Sequence, residues 1–352
     1  MAGVLALFGE TSNTSLAVIR LLNVLVLSTG LAIYFLLARR LFGYAVAGLT
    51  LLLWVFHPAL LARTDQIWDT TWCSFSGAVL LYIFCFWDFK KPITRFLSGV
   101  VCGAAALINP VFTLCYPVWV FFAWRRTKIS GANMTAFFRH AALVFIGFVL
   151  VILPWTVRNY LTFDELFYLR GNLPLELWVG NAPWAAGDMT SVDGRRIHPV
   201  FDPAESARMV SLGEYGYFKA CRADVALWWK DDPSRFFRLA LKRFAYFWLG
   251  PIYNSDGFML QLKIWAPVWI IGIWAWIGSA VILFRHRHAW ILVSTLAVFP
   301  LVYYATLWLP RYRLQIEPLM ILITSVALVE LFNFFWRAQH FQNLSRKLKP
   351  PS

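Results

Sequence analysis

At residues 153–187 the sequence reads LPWTVRNYLTFDELFYLRGNLPLELWVGNAPWAAG, and here an apolar span gives way to a long hydrophilic segment. Arg158 and Asn159 follow the apolar run directly, and Trp155 lies just before them. Tryptophan beside a cation at the end of an apolar helix is typical of a membrane–water interface. The pattern predicts a membrane boundary here. Each of the three residues suits an interfacial anchor as well as a binding group.

The composition indicates a membrane protein. Of the 352 residues, 60% are hydrophobic and 14% are charged, and the mean hydropathy is +0.61. A soluble domain with a hydrated surface is much less apolar. We therefore predict an all-α polytopic membrane protein. The net charge of +14 is spread along the chain. This distribution favours a membrane lipid or an anionic lipid substrate as partner and argues against nucleic acid.

Short basic loops predict the topology. The connections at 88–95, 125–140 and 285–288 and the C-terminal tail carry Lys and Arg, which places them in the cytoplasm by the positive-inside rule. The apolar stretch 96–124 lies between two of these loops and is broken at Asn109–Pro110. It must therefore cross outward and return. The resulting count is about nine spans, with the N-terminus outside.

The predicted organisation has three parts: an N-terminal transmembrane block at 1–156, an extracytoplasmic mixed segment at 157–262, and a C-terminal transmembrane block with a basic tail at 263–352. Within the middle part, residues 234–248 alternate apolar and basic residues at helical spacing. Such an amphipathic helix either lies on a membrane face or packs on its own domain with the charges in water.

Candidate chemistry lies at the outer boundary, since the sequence has none of the motifs of soluble nucleotide-binding, serine-hydrolase or zinc-protease sites. Asp69 opens an apolar span, so it is either a reacting carboxylate or the cap of that helix. Arg311 and Arg313 form a candidate phosphate clamp, because guanidinium binds phosphate in a bidentate fashion, although juxtamembrane Arg is also a common anchor. The predicted catalytic residue is Asp69, and the predicted substrate-binding residues are Arg63, Asp65, Arg158, Asn181, Arg311, Tyr312 and Arg313.

Four elements of the sequence carry a resemblance to a known family. They are IRLLNVLVLSTGLAIYFLLARRLFG, the Asp69 that opens the third span, LPWTVRNYLTFDELF followed by LWVGN, and LPRYRLQIEPLMIL. In this order they resemble the bacterial membrane glycosyltransferases related to protein O-mannosyltransferases and lipid A aminoarabinose transferases. The resemblance implies a GT-C fold in the inner membrane, an extracytoplasmic active face and a polyprenyl-phosphate-linked sugar as donor. By it, Asp69 matches an acidic residue of the second outer loop, and the basic positions noted above fall near the donor phosphate.

The start of the chain departs from that family. Its members carry a further membrane helix and an outer loop with an acidic catalytic residue before the part that matches FGETSNTSLAVIRLLN. On this basis we expect the chain as written to be inactive, or nearly so, in sugar transfer. No cofactor is predicted with certainty, and the use of a divalent metal is left open. The alternatives are a non-catalytic membrane or interaction protein and a lipid flippase or transporter. The latter is disfavoured by few intramembrane charges and no paired half repeats.

Overall fold

The computed structural model describes residues 13–61, 68–127, 134–250 and 258–347. In these ranges the regular elements are helices, apart from two isolated bridges, Ala185 with Ser191 and Thr190 with Arg196. The helices are α1 (Asn13–Phe42), α2 (Tyr44–Val55), α3 (Thr70–Phe86), α4 (Pro92–Ile108), α5 (Tyr116–Arg126), α6 (Met134–Phe163), α7 (Leu173–Asn181), α8 (Pro203–Asp231), α9 (Pro233–Leu249), α10 (Phe258–Arg285), α11 (Trp290–Val298), α12 (Leu301–Ala305), α13 (Pro310–Leu314) and α14 (Glu317–Lys347), with short helical turns at Pro58–Leu61, Pro110–Cys115 and Arg287–Ala289.

Within the described residues, five helical regions are long and apolar enough to cross a membrane, which takes about 20 residues of helix. They are Leu16–Phe42, Met134–Phe163, Pro267–Arg285, Arg287–Ala305 and Glu317–His340. Three shorter apolar helices, α2, α3 and α4, pack among them. The predicted class, an all-α polytopic membrane protein, is confirmed. The count of about nine spans stays a prediction.

The apolar stretch 96–124 is broken where the sequence predicts. Helix α4 ends at Ile108, and the Asn109 side chain then accepts a hydrogen bond from the Val111 backbone N–H at 3.1 Å. Pro110 supplies no N–H and disfavours a helical conformation at the residue before it. The chain makes one 3₁₀ turn and enters α5 at Tyr116.

Helices α4 and α6 run in the same direction at close range. Gly99 of α4 lies against the Val144 carbonyl of α6, and four residues further along Gly103 lies against the Phe148 carbonyl. A Cβ at Gly99 would overlap that carbonyl, so the close approach depends on small residues, as is common between membrane helices. Because α4 and α6 are parallel, α5 must return between them. This packing agrees with the predicted outward-and-return path, and the crossing of a membrane by α4 and α5 stays a prediction.

The described parts of the basic connections gather at one end of the helix bundle. The Arg40 guanidinium lies 5.2 Å from the Tyr82 ring centroid, and Arg126 Nη1 donates to the Phe84 carbonyl at 2.5 Å. His288 Nε2 lies 3.2 Å from the Leu41 carbonyl. The C-terminal ends of α1, α3, α5 and α10 therefore lie together, as one shared membrane side requires. That this side is cytoplasmic stays a prediction.

The hydrophilic segment forms its own small core at the opposite end. Helices α7 and α8 pack through apolar side chains, among them Trp178, Tyr217 and Phe218. Helix α9 is the predicted amphipathic helix, and the structure combines the two alternatives: one face is buried within the protein, while Phe237 and Leu241 on the other face are 68% and 70% exposed.

Candidate functional site

An open cavity of about 1120 Å³ lies between α6, α7 and α8, at the end of the bundle opposite the basic loops. Its two walls differ in chemistry. One is apolar and comes from the spanning helix α6, with Phe145, Phe148, Val149, Ile152 and Leu153. The other comes from the hydrophilic segment and α13, where apolar residues such as Leu169 and Phe218 are joined by the polar Arg170, Asn172, Glu176, Lys219, Arg222 and Tyr312. Such a cavity can hold a molecule that is apolar at one end and anionic at the other.

Asp69, the predicted catalytic residue, lies beside this cavity at the start of α3. Its Oδ2 accepts hydrogen bonds from Arg170 Nη2 at 2.6 Å and from Asn109 Nδ2 at 3.0 Å. Its side chain makes no capping bond to its own helix, so the alternative of a helix cap is wrong. The pair with Arg170 is partly open to solvent, with side-chain exposures of 32% for Asp69 and 47% for Arg170. The catalytic role of Asp69 stays a prediction.

Arg170 is a cation that sequence reasoning missed. The end of α6 places it, because Thr156 Oγ1 donates to the Tyr168 carbonyl at 2.9 Å and Trp155 Nε1 donates to the Leu169 carbonyl at 3.2 Å. Asn159 Nδ2 adds a longer bond to Leu169, at 3.4 Å. The polar residues that follow the apolar run at 153 therefore hold the next loop in place.

Glu176 is a second carboxyl group in the cavity wall, on the first turn of α7. Its Oε1 accepts from Asn172 Nδ2 at 3.2 Å, and the Tyr312 hydroxyl is within hydrogen-bonding reach. Burial raises the pKa of Glu176, and the positive charges of Arg311 and Arg170 and these two hydrogen bonds offset the rise only in part. A carboxyl group with a perturbed pKa in a cavity wall is a candidate for proton transfer.

Arg313 does not take part in a phosphate clamp. Its guanidinium is 3% exposed, and all five of its N–H donors are in use. Two go to the Glu317 carboxylate at 2.6 and 3.2 Å, two to the carbonyls of Phe247 and Trp248 at 3.0 and 2.9 Å, and one to the Val268 carbonyl at 2.8 Å. The predicted pair of forks is therefore not formed. This guanidinium joins α9, α10 and α14.

The other two predicted cations remain accessible but lie in different places. Arg311 is 4.3 Å from the Trp68 ring centroid, and its charge reaches Glu176 in the cavity. Arg158 is exposed, stacks over the Trp155 ring at 5.2 Å and is not among the residues lining the cavity. The contacts of Arg158 favour the interfacial anchor over a binding group.

Asn181 is fully buried and serves the fold. Its Nδ2 donates to the Leu177 and Ala305 carbonyls at 2.9 and 3.0 Å, while its Oδ1 accepts from Arg243 at 3.1 Å. Tyr312 lines the cavity and stacks on Tyr303, with ring centroids 4.4 Å apart, and its role in substrate binding stays a prediction. The other two predicted residues, Arg63 and Asp65, lie outside the described residues. In the described ranges, no three His, Cys, Asp or Glu side chains come together as metal ligands.

The fold and the cavity define a class: an all-α polytopic membrane protein with an amphipathic cavity at one end of its bundle. No family model matches the sequence, and no curated protein matches it. Among solved structures, the chain is similar to ArnT from Cupriavidus metallidurans in the apo state, at 14% sequence identity and a TM-score of 0.32. The match covers 92% of this chain and 65% of that one, so this chain spans about two thirds of its length. The likeness is too loose to assign any residue, and the chemistry of the cavity has to be inferred from its own side chains.

Proposed function

We propose that this protein is a membrane glycosyltransferase that moves a sugar from a polyprenyl-phosphate donor to an extracytoplasmic lipid, glycan or protein acceptor. The observation that carries the proposal is the two-sided cavity. Its apolar wall belongs to a membrane-spanning helix, and its opposite wall carries Arg170, Lys219 and Arg222. A polyprenyl chain suits the first wall, and a phosphate suits the second.

Arg170 is the proposed phosphate ligand. Its hydrogen bonds in the described structure, to Asp69 and to the Ile108 carbonyl at 2.8 Å, use only Nη2. Nε and Nη1 therefore remain as charged donors, and each can bind a phosphate oxygen. Lys219 is paired with Glu165, so it contributes a weaker field at the same wall.

Asp69 fixes the position of that ligand. Its carboxylate holds the Arg170 guanidinium at the start of α3, with Asn109 as a second support. As the sugar leaves the lipid phosphate, negative charge develops on the phosphate oxygens, and a positioned guanidinium stabilises that charge. The group that receives the proton of the acceptor is one of the two carboxyls of the site, Asp69 or Glu176, so this proposal replaces the sequence-based expectation of an inactive chain.

Binding of a lipid phosphate tests the proposal. The protein in nanodiscs is titrated with farnesyl methyl phosphate, a phosphodiester with one fixed negative charge, and turnover is then measured as release of lipid phosphate from a panel of polyprenyl-phosphate sugars. Loss of one charge-assisted contact in Arg170→Gln is expected to weaken binding about 10- to 100-fold, or roughly 1.5–3 kcal/mol.

Arg195→Gln is the matched control, because Arg195 also forms an exposed ion pair, with Asp193 at 2.7 Å, but does not line the cavity. It is expected to bind the probe like the parent. Equal binding by Arg170→Gln and the parent would contradict the proposed donor site.

The membrane orientation is a separate part of the proposal. The basic loops lie at one end of the bundle and the cavity at the other, so the positive-inside rule places the cavity outside the bacterial inner membrane. Val192 and Met134 are 80% and 65% exposed, whereas the five native cysteines are buried. In intact cells an impermeant thiol reagent should label Val192→Cys and spare Met134→Cys. The reverse pattern would invert the orientation.

A further inference from the structure

We propose that Glu176 is the proton acceptor of this site. The inference rests on the proposed function and decides which of the two carboxyl groups takes the proton from the attacking hydroxyl. In that step the acceptor O–H bond breaks and its proton moves to a Glu176 oxygen. The new bond forms between the acceptor oxygen and the anomeric carbon. The bond from that carbon to the phosphate oxygen breaks, and its electron pair leaves with the lipid phosphate.

The position of Glu176 is the first argument. Glu176 lines the cavity itself, together with Arg170 and Tyr312, whereas Asp69 lies behind Arg170 and Asn109 and is not part of the lining. A general base must come within hydrogen-bonding distance of the proton that it removes. An acceptor in the cavity meets the Glu176 carboxylate without displacing either guanidinium.

The hydrogen bonds of the two carboxyls are the second argument. Asp69 Oδ2 accepts two donors, one of them a guanidinium at 2.6 Å. Glu176 accepts a neutral amide from Asn172 at 3.2 Å, and its other described partner is a phenol hydroxyl. A hydrogen bond from a cation to a carboxylate is stronger than one from a neutral group, and it lowers the basicity of the carboxylate more. Asp69 is therefore the positioning residue for Arg170, and Glu176 retains lone pairs for a proton.

The charges around Glu176 make its pKa depend on whether the donor phosphate is bound. The charges of Arg170, from the loop before α7, and of Arg311, from α13, act on Glu176 together with the Tyr312 hydroxyl, and Lys219 and Arg222 of α8 line the same cavity. Burial already raises its pKa against these cations. A bound phosphate diester neutralises one of the cations and raises the pKa of Glu176 further. A base is most effective when its pKa lies near the working pH.

This coupling gives a binding measurement that is independent of turnover. The affinity of farnesyl methyl phosphate, whose own charge does not change, is measured from about pH 5 to pH 8, upwards from the ordinary pKa of a glutamate carboxyl. Affinity is expected to weaken as the pH rises, because ionised Glu176 repels the phosphate. Glu176→Gln should remove this slope, and Glu214→Gln, an exposed acid on α8 outside the cavity, should keep it.

Asp69→Asn separates the two roles. It should weaken binding at every pH, because Arg170 loses its anchor, and it should leave the slope in place. A slope that persists in Glu176→Gln overturns the inference. If the parent does not bind the probe, or binds it as Arg170→Gln does, the proposed donor site fails instead.

Turnover gives the second readout. With any donor of the panel that the parent uses, Glu176→Gln should lower turnover about 10²- to 10⁴-fold, the usual contribution of a general base, while probe binding at low pH stays close to that of the parent. Turnover of Glu176→Gln within about tenfold of the parent, or a greater loss in Asp69→Asn than in Glu176→Gln, overturns the assignment.

Discussion

Two arginine clusters lie at the cavity end of the bundle, and they differ in what surrounds the guanidinium groups. The buried cluster consists of Arg243 and Arg313, which are 0% and 3% exposed. The cavity cluster consists of Arg170, which lines the cavity and pairs with Asp69, and Arg311, which lies over the Trp68 ring and whose charge acts on Glu176. All four are arginines, yet of these four only those of the cavity cluster have donors without a described acceptor.

In the buried cluster the protein itself uses every donor. Arg243 donates to the carbonyls of Gly187, Tyr304, Ala305 and Gly180 and to the Asn181 side chain. Desolvation lowers its pKa to about 10, so it remains charged at neutral pH. A buried guanidinium that satisfies several carbonyls fastens helices together, and it has nothing to offer a phosphate.

The largest expected effect comes from Arg313→Ala. The variant leaves the Glu317 carboxylate buried with His57, whose Nε2 lies 3.3 Å away, as its remaining ion-pair partner. Breaking a buried ion pair on one side costs about 3–5 kcal/mol of unfolding free energy. Thermal unfolding in detergent and the yield of monodisperse protein measure the loss. Restored stability in Arg313→Met with Glu317→Gln would show that the unpaired charge was responsible. A parent-like melting curve for Arg313→Ala would break the comparison.

Arg243→Lys comes next. The charge is kept, but one ammonium has three donors and cannot reach the five acceptors that the guanidinium satisfies. The carbonyls left without a donor cost about 1–3 kcal/mol. The same melting experiment, with exposed Arg238→Lys on α9 as the matched control, checks this value. Equal stability of Arg243→Lys and Arg238→Lys would mean that the charge alone matters.

Arg311→Gln should give the opposite pattern. Its described contacts are with the Trp68 and Tyr312 rings, and a cation–π contact at a partly exposed site contributes about 0.5–1 kcal/mol to stability. Its loss should nevertheless weaken binding of farnesyl methyl phosphate about tenfold, close to the 1.5 kcal/mol of one charge-assisted hydrogen bond. A large loss of stability with unchanged binding would show that Arg311 behaves like the arginines of the buried cluster.

The smallest effect concerns the carboxyl between the two guanidiniums of the cavity cluster. Because burial raises the folded-state pKa of Glu176, its contribution to stability is present at pH below the unfolded pKa and is lost as the pH rises through the folded pKa. Glu176→Gln should therefore be more stable than the parent at alkaline pH and should lose that advantage at acid pH. Unfolding midpoints at both pH values, with Glu214→Gln as control, measure the difference. A constant difference would rule out titration of Glu176 as its source.

Much of the fold follows from local signals. The apolar runs predict spanning helices, and Asn109–Pro110 predicts the break that the 3₁₀ turn Pro110–Cys115 fills. The out-and-return path follows from two basic loops, and the parallel packing of α4 and α6 agrees with it. These features are predictable because hydropathy, proline geometry and loop charge act within about one helix length of the chain.

Less of the site was predictable. Asp69, Arg311 and Tyr312 were identified at the boundary, but Arg313 and Asn181 are buried among partners that come from distant elements. Nothing near Arg313 in the sequence reveals that the carbonyls of α9 and α10 will surround it. Arg170 was missed for the same reason.

The sequence by itself determined the membrane class and the break in the apolar stretch. It also determined that charged residues collect where the apolar spans end. Only the tertiary structure decided which of those charges face a cavity. Only Tyr312 separates Arg311 from Arg313 in the sequence. Yet the Arg311 guanidinium lies over the Trp68 ring, and the Arg313 guanidinium is enclosed by five acceptor atoms. Asp69 and Arg170 are 101 residues apart and form one ion pair. The physical reason is that the availability of a guanidinium depends on which acceptors pack around it, and those acceptors are brought together by the packing of helices far apart in the chain.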